Sequence, residues 1–314
     1  MLLSTTAAAF GSSPFAAMGA DDVVKALVGF PPGGAIDTTA RAFGRAMTSV
    51  GTVVVENHPG AAGNIAAGLL AQSRPDGRTL MFAPVNVYCI SQALYRNLAF
   101  DAVRDFAPVG ITATFPWSLA VHPSVPAHSL SEFVAWLKAN PQKALCGMAA
   151  IGSEGHLMAY AFSKEAGIPL QFVPYKGGAP MAQDLMAGQI LMAFDPIVNM
   201  GPPHRAGKVR ILAVTGRQRA ASLPEVPTFS ELGFPAITGQ TWIGVAARKG
   251  TPSETIQSYS SALIAAANEP SLRERLALVG LTAVAGTPDE MGAQMAADTA
   301  RYGKLARELG LRLD

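Results

Sequence analysis

Short apolar runs alternating with stretches of helical spacing constrain this chain most, and the first such unit shows how. Val23-Val24-Lys25-Ala26-Leu27-Val28 reads as a buried strand. From Thr38 to Ser49 the apolar residues Ala42, Phe43, Ala46 and Met47, followed by Val50, recur at helical spacing. Between them lies Phe30-Pro31-Pro32-Gly33-Gly34-Ala35-Ile36-Asp37. A strand, a glycine turn and a helix in that order leave the first helical N–H groups without partners, aimed past the strand end. Two glycines let a ligand approach the backbone, and the helix dipole favours an anion there. Pro31 and Pro32 stiffen the entry to the turn. Asp37 falls in the first helical turn, where it either caps free N–H groups or touches the ligand; capping is the simpler reading. The turn fits neither the Gly-x-Gly-x-x-Gly nor the Gly-x-x-x-x-Gly-Lys phosphate pattern, so a small carboxylate suits it better than a nucleotide.

The same alternation continues. Strands are expected at Thr52–Glu56, Arg78–Ala83, Ala107–Thr114 and Trp117–Val121, with helices at Gly63–Ser73 and Asn86–Tyr95. Pro123-Ser124-Val125-Pro126 then interrupts. A second series follows: helix Ser129–Ala139, strand Ala144–Met148, helix Ser153–Ala166 and strand Gln171–Pro174. Gly177-Gly178 opens another helix, Ala179–Ala187, and strands come at Ile190–Phe194 and Lys208–Thr215. After a proline-rich connection, Thr241–Ala247 carries the chain back as a strand. Helices Pro252–Asn268 and Leu272–Val279, a short strand Leu281–Val284 and a long helix Pro288–Leu309 finish it. The fold class is α/β, with parallel sheets and crossover helices. Two glycine turns would face one cleft if two such units oppose each other.

With 314 residues the chain is long enough for two domains. Its 24 basic residues are scattered against 22 acidic ones, so no stripe or patch points to nucleic acid. Cys89 and Cys146 have no metal-type spacing and read as buried free thiols. His58, His122, His128, His156 and His204 form no His-x-x-x-His pair, so neither a metal nor a cofactor is expected. Residues 1–20, small and weakly apolar, read as an export signal or its remnant, too short and weak to span a membrane. Leu2-Leu3-Ser4-Thr5-Thr6-Ala7-Ala8-Ala9 is similar to the segment that follows a twin-arginine pair.

Ten motifs stand in order along the chain. They are Gly33-Gly34-x-x-Asp37 with Ala40-Arg41; Val54-Val55-Glu56-Asn57-His58-Pro59-Gly60; Arg74-Pro75-Asp76-Gly77-Arg78-Thr79-Leu80; Phe106-Ala107-Pro108-Val109; and Pro123-Ser124-Val125-Pro126. Val173-Pro174-Tyr175-Lys176-Gly177, Phe194-Asp195, Arg205-Ala206-Gly207-Lys208, Leu223-Pro224-Glu225-Val226-Pro227-Thr228 and Trp242-x-Gly244 complete the set. With them the chain, from about Lys25 to its last helix, resembles the periplasmic solute receptors of tripartite tricarboxylate transporters, the Bordetella uptake gene type. The resemblance implies a two-domain periplasmic binding protein fold of type II, with a hinge and a ligand cleft between domains. Domain 1 would comprise 21–122 plus 240–314 and domain 2 would comprise 123–239, with crossings near Val121–Pro123 and Gly239–Trp242. It further implies a monomer in the periplasm that captures a small carboxylate by domain closure and delivers it to membrane transporter subunits. A receptor feeding a sensor kinase is the related alternative.

The resemblance places the ligand among Phe30, Pro32, Gly33, Gly34 and Asp37 on one side, with Asn86, Val87 and Tyr88 at a strand end. Gly152, Ser153, Glu154 and His156 face them from the other unit, with Lys176, Gly177, Gly178 and Asp195. Lys176 pairs with a carboxylate or lies solvated on the rim; Asp195 bonds the ligand or braces the second glycine loop. Trp242 is expected to pack at the crossing. Three departures from the family pattern stand out: Pro32 removes an N–H donor, Ala83–Tyr88 carries bulk and one amide, and Glu154 replaces a small or neutral residue. An acid there would repel a dicarboxylate, so the expected ligand has one carboxylate and a donor group, or is a largely apolar monocarboxylate. An enzyme acting on a small acid is the rival, with Glu154, Asp195 or His156 as its base. Ser153 beside His156 raises a hydrolase reading, but Ile151 breaks the Gly-x-Ser-x-Gly elbow and Ser153 reads as a helix cap.

Overall fold

The computed structural model describes residues 23–149, 151–308 and 310–313; the expected export segment lies outside them. The chain opens with β1 (Val23–Val28), α1 (Ala35–Ala46), β2 (Thr52–Asn57), α2 (Asn64–Gln72) and β3 (Thr79–Pro84). A π-helical segment, Asn86–Ile90, runs into α3 (Ser91–Leu94), followed by α4 (Ala102–Asp105) and β4 (Phe106–Phe115). Next come β5 (Trp117–Val121), α5 (Leu130–Ala139), β6 (Leu145–Met148), α6 (Glu154–Ala166), β7 (Gln171–Pro174) and α7 (Gly178–Met186). β8 (Met192–Pro196), α8 (Ile197–Arg205), β9 (Arg210–Val214) and β10 (Thr241–Arg248) follow. The last elements are α9 (Ser253–Asn268), α10 (Pro270–Leu278), β11 (Thr282–Ala283) and α11 (Pro288–Glu308).

These strands make two sheets, one of six strands in the order β11-β4-β10-β3-β1-β2 and one of five in the order β7-β6-β8-β5-β9. In the first, β1 lies parallel to β2 and β3, with Ala26 opposite both Val55 and Leu80. Val24, Ala26 and Val28 are fully buried, as central strands covered on both faces require. β10 enters antiparallel between β3 and β4. In the second, β6 is parallel to β7 and β8, while β5 runs antiparallel to β8 and β9. Both glycine turns therefore leave the carboxyl ends of parallel strands, β1 and β7, where open α/β sheets place their ligands.

Four details differ from the sequence reading. The chain changes sheet at Pro116 rather than at Val121–Pro123, because β5 pairs with β8 and β9 and so belongs to the second sheet. Asn86–Ile90 is π-helical because five successive residues are buried there, a pattern no one-sided helix satisfies. α4 is a short extra turn, nucleated by Asp101, whose side chain accepts from the N–H groups of Val103 and Arg104. α8 was not expected, since Pro202 and Pro203 lie inside it and break a helical pattern. Burial of Ile197, Val198, Met200 and Gly201 in its first turns compensates for the donors those prolines remove.

Candidate functional site

A cavity of about 300 Å³ lies between the two sheets. The first sheet contributes the turn Phe30 to Ile36, together with Pro84 and Asn86 beyond β3. The second contributes Gly177, Gly178, Ala179 and Ala182, together with Asp195, Pro196 and Asn199 at the end of β8. Ala149, Ser153 and Glu154 follow β6, and Phe115, Trp117 and Thr241 close the floor where the chain passes between sheets. Among the described lining residues there is no Lys, Arg or His.

The first turn is held rigidly from behind. The Gly33 N–H donates to Asp37 Oδ2 at 2.9 Å, Arg41 Nε donates to both carboxylate oxygens at 3.0 Å, and Asn57 Nδ2 donates to Oδ1 at 2.9 Å. Asn57 Nδ2 also donates to the Phe30 carbonyl at 3.0 Å, which ties β2 to the turn. Burial by itself would raise the Asp37 pKa, but the hydrogen bonds from Arg41, the Gly33 N–H and Asn57 outweigh it and hold the carboxyl below its usual range. Asp37 does not line the cavity; it is the brace of the turn. Gly34, the N-cap of α1, has no side chain to fill its N-terminus, which faces the cavity uncapped.

The second turn meets the first. A Cβ on Gly177 would lie 2.8 Å from Pro31 Cγ, so the two loops touch across the cavity mouth only because that side chain is absent. Its φ of +109° also favours glycine. A Cβ on Gly178 would lie 2.4 Å from Asn199 Nδ2 and 3.0 Å from Asp195 Oδ2. Gly178 thus lets a polar pair tuck beneath the α7 N-terminus: Asn199 Nδ2 donates to Asp195 Oδ2 at 2.6 Å. Asp195 is fully buried, and burial pushes its pKa up to about 7 against the weaker lowering by Asn199.

Glu154 is engaged otherwise than its sequence position implied. Thr241 Oγ1 donates to Glu154 Oε2 and Tyr302 OH to Oε1, while Trp117 Nε1 donates to Thr241 Oγ1 at 2.6 Å. The carboxyl, 1% exposed, therefore spans the two sheets at the floor. Burial raises its pKa, opposed by the Thr241 and Tyr302 hydrogen bonds. Each Glu154 oxygen is thus already engaged by a hydroxyl of the first lobe.

The remaining expected residues divide clearly. Phe30, Pro32, Gly33, Gly34, Asn86, Ser153, Glu154, Gly177, Gly178 and Asp195 line the cavity. Val87, Tyr88, Gly152, His156 and Lys176 do not. Tyr88 is buried behind Asn86, stacked on Trp242 at 5.5 Å, with its hydroxyl against the carbonyls of Met81 and Gly244. His156 packs edge-on to Phe172 at 4.8 Å, its Nδ1 accepts from the Gly152 N–H at 3.2 Å, and burial lowers its pKa to about 4. Its backbone N–H donates to Ser153 Oγ, the helix-cap role read for that serine, and among the described residues no hydrogen bond is found between the Ser153 hydroxyl and the imidazole. Lys176 is exposed. Sequence reading missed Pro31, Phe115, Trp117, Asn199 and Thr241. Asn199 and Thr241 carried a detectable cue, since each lies at or just past a strand that the Asp195 and Trp242 motifs already marked.

Comparison with known proteins identifies a family and a fold. The profile described as tripartite tricarboxylate transporter family receptor matches residues 41–311. The chain is 31% identical to protein BugT of Bordetella pertussis over 293 residues, 92% of this chain and 90% of that one. It is similar in structure to the periplasmic binding protein BugD, with a TM-score of 0.87 and 28% identity over 92% of this chain and 98% of that one. It is likewise similar to R. palustris Rpa4515, solved with adipate, with a TM-score of 0.88 and 32% identity over 92% and 97% of the two chains.

Proposed function

The chain belongs to the tripartite tricarboxylate transporter receptor family, and from that premise we propose that it is an exported periplasmic protein that binds a small carboxylate between its lobes. The closed complex is then the form that membrane transporter subunits recognise. One observation carries this reading: the uncapped N-terminus of α1 faces a cavity whose described lining residues include no cationic side chain. An anion in that cavity has only backbone N–H groups and helix dipoles to replace its water. A dipole alone gives at most about 2 kcal/mol, less than the several kcal/mol needed to desolvate a carboxylate. Charge-assisted backbone hydrogen bonds of roughly 1.5–3 kcal/mol each make up the difference, and several must form together. That is why the turn is braced so firmly by Asp37, Arg41 and Asn57: donors fixed in place lose no entropy on binding.

Closure follows from where the donors sit. Pro31 and Gly177 meet over the cavity, so a ligand enters while the two lobes are apart and is enclosed when they come together. The cavity volume falls at the low end of the range for ligand sites, about 300–1,000 Å³, which suits a small acid. The rival enzyme reading loses His156 as a candidate base, because His156 does not reach the cavity, while Glu154 is held by Thr241 and Tyr302.

Thermal unfolding of ligand-stripped protein against a panel of small carboxylates tests this. A ligand present at about a hundred times its Kd stabilises by roughly 2.7 kcal/mol, a shift of several degrees. The expected result is a dose-dependent rise with at least one carboxylate and no turnover of it. A panel without any hit, or conversion of the bound acid, would contradict the proposal.

A further inference from the structure

Among the described residues, two buried side-chain atoms have no hydrogen-bond partner, Asn64 Nδ2 and Asp195 Oδ1. Asn64 is not part of the cavity lining; Asp195 is. A buried carboxyl oxygen without a partner is costly, and natural structures seldom leave one without a purpose. Its sister oxygen is committed to Asn199, and Asn199 itself lines the cavity. Charged and titratable groups on the surrounding elements are occupied elsewhere. Glu154 is held by Thr241 and Tyr302, His156 by Gly152, and Asp184 of α7 by the Tyr175 hydroxyl at 2.8 Å. Cys146 of β6 is buried, and His204 at the far end of α8 lies 3.5 Å from Glu225. Arg205, also at that far end, makes no hydrogen bond to Asp195, so no cation offsets this acid.

Resting on the carboxylate-binding reading above, we propose that Asp195 Oδ1 accepts a hydrogen bond from a hydroxyl or ammonium group on the ligand. The ligand class is thus a small acid that carries one carboxylate for the α1 N-terminus and one donor for the second lobe. A second carboxylate at that wall would face an acid with no counter-cation. The task that the sequence suggested for Glu154 passes to Asp195, because Glu154 is spent on joining the lobes. Oδ1 has essentially no exposed surface, so on this proposal its partner arrives while the lobes are apart and is buried against it as they close. Asn199 then fixes the carboxyl rotamer and the ligand donor completes the acid's hydrogen bonds.

The test is calorimetric titration of stripped protein with matched acids: a short monocarboxylic acid, its 2-hydroxy and 2-amino derivatives, and the dicarboxylic acid of equal length. A hydrogen bond to a charged group predicts that one derivative binds about ten- to a hundredfold tighter than the parent acid. The hydroxy and amino arms decide which donor is read. In Asp195→Asn the preference should shrink to about threefold or less. Titration of the wild type in two buffers of different ionisation enthalpy gives a readout that no variant has to fold for. With the acid near pKa 7, a donor ligand favours its ionised form and releases protons on binding, whereas a ligand that presents a second carboxylate takes protons up. Carboxylates that bind without regard to the donor, or with proton uptake, would overturn the role of Asp195 alone. If no carboxylate binds, the carboxylate site itself is overturned, and this proposal with it.

Discussion

Gly34 and Asp195 are the residues at which this account is most exposed. A Cβ on Gly34 would meet only the Pro31 carbonyl oxygen, at 3.7 Å, and its φ of −77° suits any residue. Aspartate is a preferred N-cap, so Gly34→Asp should stabilise the ligand-free protein by roughly a few tenths of a kcal/mol. The same carboxylate would occupy the anion site and weaken carboxylate binding by about tenfold or more. Melting and titration of one variant read both effects, and unchanged affinity would remove α1 from the site. For Asp195 the folded pKa is raised from 3.8 to about 7. Its contribution to stability is therefore fully present below about pH 4 and is lost as pH rises through 7, on the order of 4 kcal/mol over the window. Asp195→Asn should gain stability relative to the wild type as pH rises from about 4 to 8, followed by ligand-free denaturant unfolding. A constant difference across that range would show that burial does not govern this acid. Asp195 was legible as a strand-end acid, yet its choice between ligand and loop was not, because that depends on which oxygen Asn199 leaves free.

At the scale of elements, the β1–α1 turn works because Asp37 ties it to β2 through Asn57 and to its own helix through Arg41. Asp37→Ala should cost about 1–3 kcal/mol, by removing charge-assisted hydrogen bonds to half-buried donors, and should lower carboxylate affinity without removing a ligand contact. An affinity equal to the wild type would make the brace dispensable. The strand, turn and helix units themselves were readable from apolar spacing, whereas Asp37, read as a helix cap, braces the turn through the Gly33 N–H instead. α8 was not, since its prolines argue against a helix locally and only the burial of Ile197 and Met200 argues for it. The π-helical segment escaped for the same kind of reason: Tyr88 is fixed by stacking on Trp242, far away in sequence. What the sequence offered as a cleft wall is a core residue beneath Asn86.

For the whole molecule, the two sheets meet at strands that exchange hydrogen bonds near the floor. Trp117 Nε1 reaches Thr241, and Glu154 links α6 to Thr241 and Tyr302. In the closure proposed above, the floor stays joined while the rims, Pro31 and Gly177, part. The two-sheet plan was legible from alternating units and from the family motifs. The change of sheet at Pro116 was not, because β4 and β5 read as a continuous pair of strands and only pairing partners assign β5 to the second sheet. Gly177→Ala adds a Cβ where Pro31 must sit and at an unfavourable φ, so it should hinder closure and reduce affinity by about tenfold or more. Titration checks this, and wild-type affinity would mean the rims need not meet. The central claim is that a small carboxylate draws the lobes together. Small-angle X-ray scattering of stripped protein, with and without a saturating carboxylate from the thermal panel, tests it most directly. Closure on the ligand gives a smaller radius of gyration and a more compact distance distribution when the ligand is bound. Scattering that does not change at saturation would contradict capture by closure.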